Sequence, residues 1–195
     1  MRAAPIAGQG PVASGAAPPG DGGWGLLQEW VTFIVTGTTR DATRLQLAKD
    51  LGADATIDVQ QEEALATVLK LTGGKGVDVV LDCTAGAGTA PVLLGIDALK
   101  RREGVMVTQG ELAAFPDFPL KKMTEKCIAL KSARGHSYQA VEQALAMLDS
   151  HRFPLERLGT HRFGLADVDR AIRAVGGELD DDAIHVSLMP WGLDA

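Results

Sequence analysis

Residues 33 to 59 read FIVTGTTRDATRLQLAKDLGADATIDV: an apolar β-branched run, a polar loop, a helix-forming stretch, a glycine and a second β-branched run. Two strands separated by a helix rather than by a tight turn pair in parallel, with the helix as the crossover. Gly52 follows the helix LQLAKDL as a C-terminal stop. In a parallel sheet, ligands bind beyond the carboxyl ends of the strands. Thr36 to Arg40, just past the first strand, therefore stand where a nucleotide ribose is met.

The same alternation extends along the chain. Apolar runs at 31–36, 54–59, 77–82, 104–109 and 127–132 predict short buried strands. Helical patterns lie between them at 41–51, 61–71, 88–100 and 120–125, and Gly73, Gly74 and Gly76 break the chain before VDVVLD. Strand and helix in turn specify an α/β fold with a Rossmann-like, doubly wound parallel sheet. The first thirty residues differ: Pro18, Pro19, Gly20, Gly22 and Gly23 cannot share a stable helix, so residues 1–30 are expected to be irregular. Beyond His136, Val141, Ala144, Leu145 and Leu148 recur at helical spacing and predict a core-facing stripe. The tail offers THRF, a helix LADVDRAIRAV with Leu165, Val168, Ile172 and Val175 inward, an acidic loop ELDDD, and a strand AIHVSLMP. The acidic run lacks the ordered spacing of a calcium loop and reads as solvated.

Composition narrows the function classes. In 195 residues, 46% hydrophobic against 23% charged supports a packed core. A formal charge of −6 with scattered Lys and Arg gives no footprint for nucleic acid. No apolar run approaches the roughly 20 residues of a membrane span, and no apolar signal core begins the chain, so a soluble, cytoplasmic protein is expected. Cys83 and Cys127 lie far apart, and His136, His151, His161 and His185 form no ligand motif, so no metal site is assigned.

Two segments carry candidate chemistry. In AGQGPVA, Gly8, Gly10 and Ala13 match G-x-G-x-x-G/A, whose missing side chains admit a pyrophosphate to a helix N-terminus, although MRAAPI is a poor strand and Pro18 and Pro19 follow closely. In TGTTRDATRL, Gly37 stands where a reader of ribose hydroxyls has Asp or Glu. Thr38, Thr39 and Arg40 follow, and hydroxyls plus a guanidinium suit a 2′-phosphate. The alternative is that Thr39 or Asp41 caps the helix while Arg40 and Arg44 are solvated. Other strand ends present Cys83, Thr84 and Gly86, then Gln109 and Gly110, then Arg134 and Gly135; together they could line a cleft for an extended dinucleotide. Nothing places a base beside Cys83 to make it a nucleophile.

Taken in order, VTGTTRDATRLQLAKDLGADATIDV, GGKGVDVVLDCTAG, REGVMVTQG and LERLGTHRFGLADVDRAIRAVGG with AIHVSLMPW resemble the C-terminal half of zinc-type medium-chain alcohol dehydrogenases, nearest the sorbitol and threonine dehydrogenase-like members. The resemblance covers residues 31 to 190 and implies NAD or NADP as cofactor, the choice left open. It implies that Gly8 and Gly10 meet the pyrophosphate. Gly37, Thr38, Thr39, Arg40 and Arg44 would meet the adenosine ribose, and Cys83, Thr84, Gln109 and Gly110 the nicotinamide side, with Arg134 a further contact. It also implies a homodimer joined edge to edge. The family's GroES-like domain, which supplies the catalytic zinc ligands, has no counterpart here, so the chain is expected to bind no zinc and to be inactive alone. The domains expected are an irregular segment with a degraded phosphate loop at 1–30, the dinucleotide domain at 31–150, and an extension at 151–195 that would pack on the missing domain.

Overall fold

The computed structural model describes residues 33–38, 41–84, 86–110, 114–179 and 182–192, and the backbone of Pro11–Ser14. Six strands form one sheet: β1 Pro11–Ser14, β2 Phe33–Gly37, β3 Ala55–Asp58, β4 Val79–Asp82, β5 Val105–Thr108 and β6 Ala129–Ser132. Their spatial order is β3-β2-β1-β4-β5-β6. Helices α1 Ala42–Asp50, α2 Ala64–Leu71, α3 Ala90–Ala98 and α4 Leu120–Lys126 connect the strands from β2 onward. The pairs β2·β3, β4·β5 and β5·β6 are parallel. This is the doubly wound α/β arrangement that the sequence predicts, each element within a few residues of its expected place.

Helix ends follow the glycines. After α1, Gly52 takes φ +101°, and the amides of Gly52 and Ala53 donate to the carbonyls of Lys49 and Ala48, both at 2.9 Å. After α2, Gly73 at φ +60° and Gly74 repeat the pattern onto Lys70 and Leu69. These are Schellman closures, which satisfy carbonyls the helix leaves open. The core between sheet and helices is led by Ile34, Ile57, Val77, Val80, Ile96, Leu99 and Met106, all essentially inaccessible to solvent. Gly95 sets the fit of α3: a Cβ there would lie 2.9 Å from Val80 Cγ1 and 3.1 Å from Met106 Cε.

The structure departs from expectation at three places. The segment 1–30, expected to be irregular, contributes β1, which runs antiparallel to both β2 and β4. The backbone of Val12, Ala13 and Ser14 pairs with both neighbouring strands, which is what a central slot demands. The chain divides into two compact units between Gly135 and His136.

The second unit holds α5 Tyr138–Asp149, β7 His161–Gly164, α6 Val168–Val175 and β8 Val186–Met189. Strands β7 and β8 pair in parallel with each other across α6. The α5 stripe expected to be core is not: no α5 residue is buried, and Val141, Leu145 and Leu148 are exposed. The inward face of α6 also differs, because Leu165, Val168, Ile172 and Val175 are exposed while Ala171 and Ala174 are buried with Phe163. Small side chains let the helix approach a two-stranded sheet closely, and Arg170 lies 5.6 Å over the Phe163 ring on the same side. Among the described residues, no helix is long and apolar enough to cross a membrane.

Candidate functional site

The carboxyl ends of β2, β4, β5 and β6 share one edge of the sheet, and three local constructions stand there. At the end of β2, Gly37 is buried, with no room for a side chain. A Cβ would come within 3.1 Å of Leu45 Cδ2 and 3.2 Å of Asp41 Cβ, so glycine is what lets α1 begin tight against the strand. Asp41, 5% exposed, tucks into that space. Its Oδ2 accepts the Thr38 amide at 3.0 Å and the Thr38 hydroxyl at 2.8 Å, and its Oδ1 meets the Arg44 guanidinium at 3.3 Å. The capping alternative is not met in the described residues: Asp41 occupies the N-cap of α1 but makes no side-chain cap hydrogen bond, its carboxylate gripping the incoming loop instead, and Arg44 pairs with it. Thr39 and Arg40 lie outside the described residues.

Between β4 and β5 the arrangement is tighter. Asp82 is 2% exposed, and its Oδ1 accepts the amide of Thr84 at 3.0 Å and the hydroxyl at 2.8 Å. The Asp82 carbonyl accepts the amides of Gln109 and Gly110 at 2.8 and 3.0 Å. Gly110 is held so close that a Cβ would sit 2.2 Å from the Thr84 carbonyl oxygen. The structure therefore brings together Cys83, Thr84, Gln109 and Gly110, as the sequence anticipates. Cys83 Sγ lies 3.8 Å from Gln109 Oε1. Burial, and then the charge of Asp82, push the thiol pKa up, opposite to the shift that activates a cysteine nucleophile. Arg134 follows β6 as an exposed residue, past an Ala133 amide that donates to the Thr108 carbonyl at 2.9 Å.

The two buried carboxylates, Asp41 and Asp82, organise both loops, and neither was singled out as a site residue. Asp82 had a legible signal, a carboxylate closing the otherwise apolar strand VVLD. Asp41 had only its spacing of three from Thr38.

A nicotinamide dinucleotide laid along this edge needs a ribose site at β2, amides for its pyrophosphate at the switch point beside β4, and a nicotinamide face near β5. The ribose end fits the loop just described. Among the described residues, the switch point does not fit the pyrophosphate. The slot between β2 and β4 holds β1, whose first residue, Pro11, pairs with Asp82. Proline brings no N–H and Asp82 is a buried carboxylate, so this corner offers an anion negative charge and no donor from the strand. Gly8 and Gly10 lie outside the described residues; in the sequence they precede β1 instead of following a parallel strand into a helix. Among the described residues, no group of three or more His, Cys, Asp and Glu is placed to hold a metal ion.

Comparison with known proteins bears on the same region. Residues 31–150 match the family model for zinc-binding dehydrogenases. The chain is 34% identical over 179 residues to a sorbitol dehydrogenase of Halalkalibacterium halodurans, covering 88% of this chain and 50% of that protein. It is also 34% identical over 162 residues to a probable alcohol dehydrogenase of Mycobacterium tuberculosis, covering 80% and 43%. Among solved structures, an alcohol dehydrogenase from Thermus sp. ATN1 superposes with a TM-score of 0.65 at 26% identity, over 79% of this chain and 42% of that one. An alcohol dehydrogenase of Thermotoga maritima shares the fold at TM-score 0.68 and 23% identity, over 80% and 42%. The chain spans half or less of the length of these relatives. The match across 31–150, on a doubly wound α/β sheet, and the 34% identity over 88% of the chain place it in the zinc-binding dehydrogenase family.

Proposed function

We propose that this chain is the cofactor-side half of a zinc-type alcohol or polyol dehydrogenase. In this reading it engages a nicotinamide dinucleotide chiefly by its adenosine end and oxidises no alcohol alone. The observation that carries the proposal is the β2–α1 loop. There Gly37, Thr38, Asp41 and Arg44 make a compact polar end to a strand beside the switch point of a doubly wound sheet. Thr39 and Arg40 complete that loop in sequence. Cys83, Thr84, Gln109 and Gly110 would line the nicotinamide side, with Arg134 a further contact. The cofactor, when bound in a complete enzyme, would exchange hydride with a substrate carbonyl carbon. This chain's residues would orient the nucleotide and exclude water. The names of its relatives, sorbitol and alcohol dehydrogenases, support the substrate class.

A second reading, a nucleotide-binding or dimerisation module without catalysis, is favoured by the reversed β1 at the switch point. In both readings the protein is cytoplasmic and homodimeric. Strand β6 ends the sheet with all four residues exposed, Leu130 among them, and an open edge of this kind pairs readily with a copy of itself. Titration with NADH, together with an assay of sorbitol and simple alcohols, tests the proposal. Saturable binding without turnover is expected; binding with turnover would remove the claim of inactivity, and no saturation would remove the claim of recognition. Sedimentation of Leu130→Lys against the wild type tests the dimer: the variant should run as monomer.

A further inference from the structure

We infer that Asp41 sets this loop to accept an adenosine ribose with a free 2′-hydroxyl and to refuse a 2′-phosphate, the reverse of what TGTTR suggests as sequence. The inference rests on the cofactor reading above and names the ligand class of the same site. Three described groups could meet a 2′-phosphate: the Thr38 amide, the Thr38 hydroxyl and the Arg44 guanidinium. All three are turned onto one carboxylate, the first two on Oδ2 at 3.0 and 2.8 Å and the third on Oδ1 at 3.3 Å.

The consequence follows from the donor inventory. A hydroxyl has one proton, and Thr38 gives it to Asp41. What the oxygen still offers is lone pairs, which take a hydrogen bond from a ribose hydroxyl and repel phosphate oxygens. Arg44 has a buried counter-ion, so its charge is largely cancelled at this loop. Asp41 itself adds a negative charge where a phosphate of about −2 would come to rest. Gly37 makes the arrangement possible, since a side chain there would press on Asp41 Cβ from 3.2 Å. Asp41 is thus a positioning residue that acts on the ligand mainly through Thr38 and Arg44.

The test uses the whole 195-residue chain and two probes that need no pyrophosphate site, 5′-AMP and adenosine 2′,5′-bisphosphate, titrated by calorimetry. The wild type should bind 5′-AMP about tenfold more tightly than the bisphosphate. Asp41→Asn keeps an acceptor for Thr38 but removes the carboxylate charge facing Arg44 and the ligand, and should reduce that preference by about tenfold, by strengthening the bisphosphate. Arg44→Gln should leave the preference within about twofold of wild type, because its charge is already taken up by Asp41. Should Asp41→Asn fail to fold, the wild type and Arg44→Gln decide alone. A wild type that prefers the bisphosphate, as it would if Arg40 gripped the phosphate, overturns the inference, as does an unchanged preference in folded Asp41→Asn. A selective loss of bisphosphate binding in Arg44→Gln overturns it as well. Equal binding of both probes sinks this inference and leaves the cofactor reading standing, whereas binding of neither sinks both.

Discussion

Two strand-helix-strand units of the same topology meet opposite fates in this chain. In β4–α3–β5, Val80, Ile96 and Met106 are at most 1% exposed. In β7–α6–β8, also a parallel pair bridged by a helix, Ile172 and Val175 are 66% and 72% exposed. The first unit has flanking strands, β1 beside β4 and β6 beside β5, so its sheet is wide enough to cover a helix. The second has two strands and buries only what they can reach, Ala171 and Ala174. A crossover unit makes a core only when the sheet beneath it is wide; the hydrophobic pattern of its helix does not guarantee burial.

The hardest blow to this contrast is a matched pair of truncations. Ile96→Ala opens a cavity in the larger unit and should cost about 4 kcal/mol, while Ile172→Ala should change stability by less than about 0.5 kcal/mol. Urea unfolding followed by circular dichroism compares them directly. A similar cost at both positions would mean that α6 buries its Ile172 face in solution.

Glycines give the next test. Gly110→Ala forces a methyl into the Thr84 backbone, from which the ideal Cβ is separated by 2.2 Å, and should cost about 3 kcal/mol while loosening the Asp82–Thr84 turn. Gly164, at φ −74° with nothing within 4 Å of its Cβ, should accept alanine at no cost, or with a gain of about 0.5 kcal/mol. Thermal melts rank the two. A benign Gly110→Ala would show that the strand ends carry enough slack to make Thr84 and Gln109 poor markers of a fixed site.

These outcomes bear on what the sequence could disclose. Parallel order, helix spans and the Schellman glycines were legible because each rests on local chemistry: β-branched runs, Gly52, Gly73 and Gly74 at helix ends, no hairpin turns. The meeting of Cys83, Thr84, Gln109 and Gly110 was legible too, since a parallel sheet brings its carboxyl ends to one edge. Direction and burial were not. Nothing local in PVAS says that it fills a central slot against the run of its neighbours, and the stripe on α5 has the period of a core helix whether or not a sheet lies under it. The roles of Thr38 and Arg44 were hidden for a third reason, because residue type shows what a side chain can bond and not that Asp41 has already claimed it.

Charges offer a smaller contrast. Lys126 Nζ donates to the carbonyls of Ile96 and Asp97 at 2.7 and 2.9 Å, closing the C-terminal turn of α3. Burial lowers its pKa, with Lys122 and Arg101 adding repulsion and Asp97 opposing. Lys126→Met leaves two helix-end carbonyls without this donor and should cost about 1.5 kcal/mol. In the smaller unit, Arg173 and Glu178 form an ion pair with both side chains more than half exposed, and Arg173→Met should cost under about 0.5 kcal/mol. Equal effects in denaturant titrations would point to a stiffer second unit than its exposure suggests.

The last effect is small in energy but has a fixed sign. Cys83 is partly buried beside Asp82, and burial first, then that carboxylate, raise its pKa above the ordinary 9.0. The unfolded chain gives up the thiol proton at the ordinary value and the folded chain at a higher one, so between the two the folded state holds more protons. Its stability contribution is therefore full below about pH 9 and is lost as pH rises through the folded pKa. Subtracting the urea midpoints of Cys83→Ala from those of the wild type removes every other titrating group. The difference should be flat from about pH 6 to about 8 and fall steadily above about 9. Cys127, exposed at a left-handed turn of φ +53°, supplies the kinetic partner: maleimide should label it well before Cys83 at neutral pH. Labelling of Cys83 first, or a flat difference through about pH 10, would mean that the β4 end opens readily to solvent. The network from Asp82 to Gly110 would then be an occasional arrangement of the strand ends and a poor foundation for nucleotide binding.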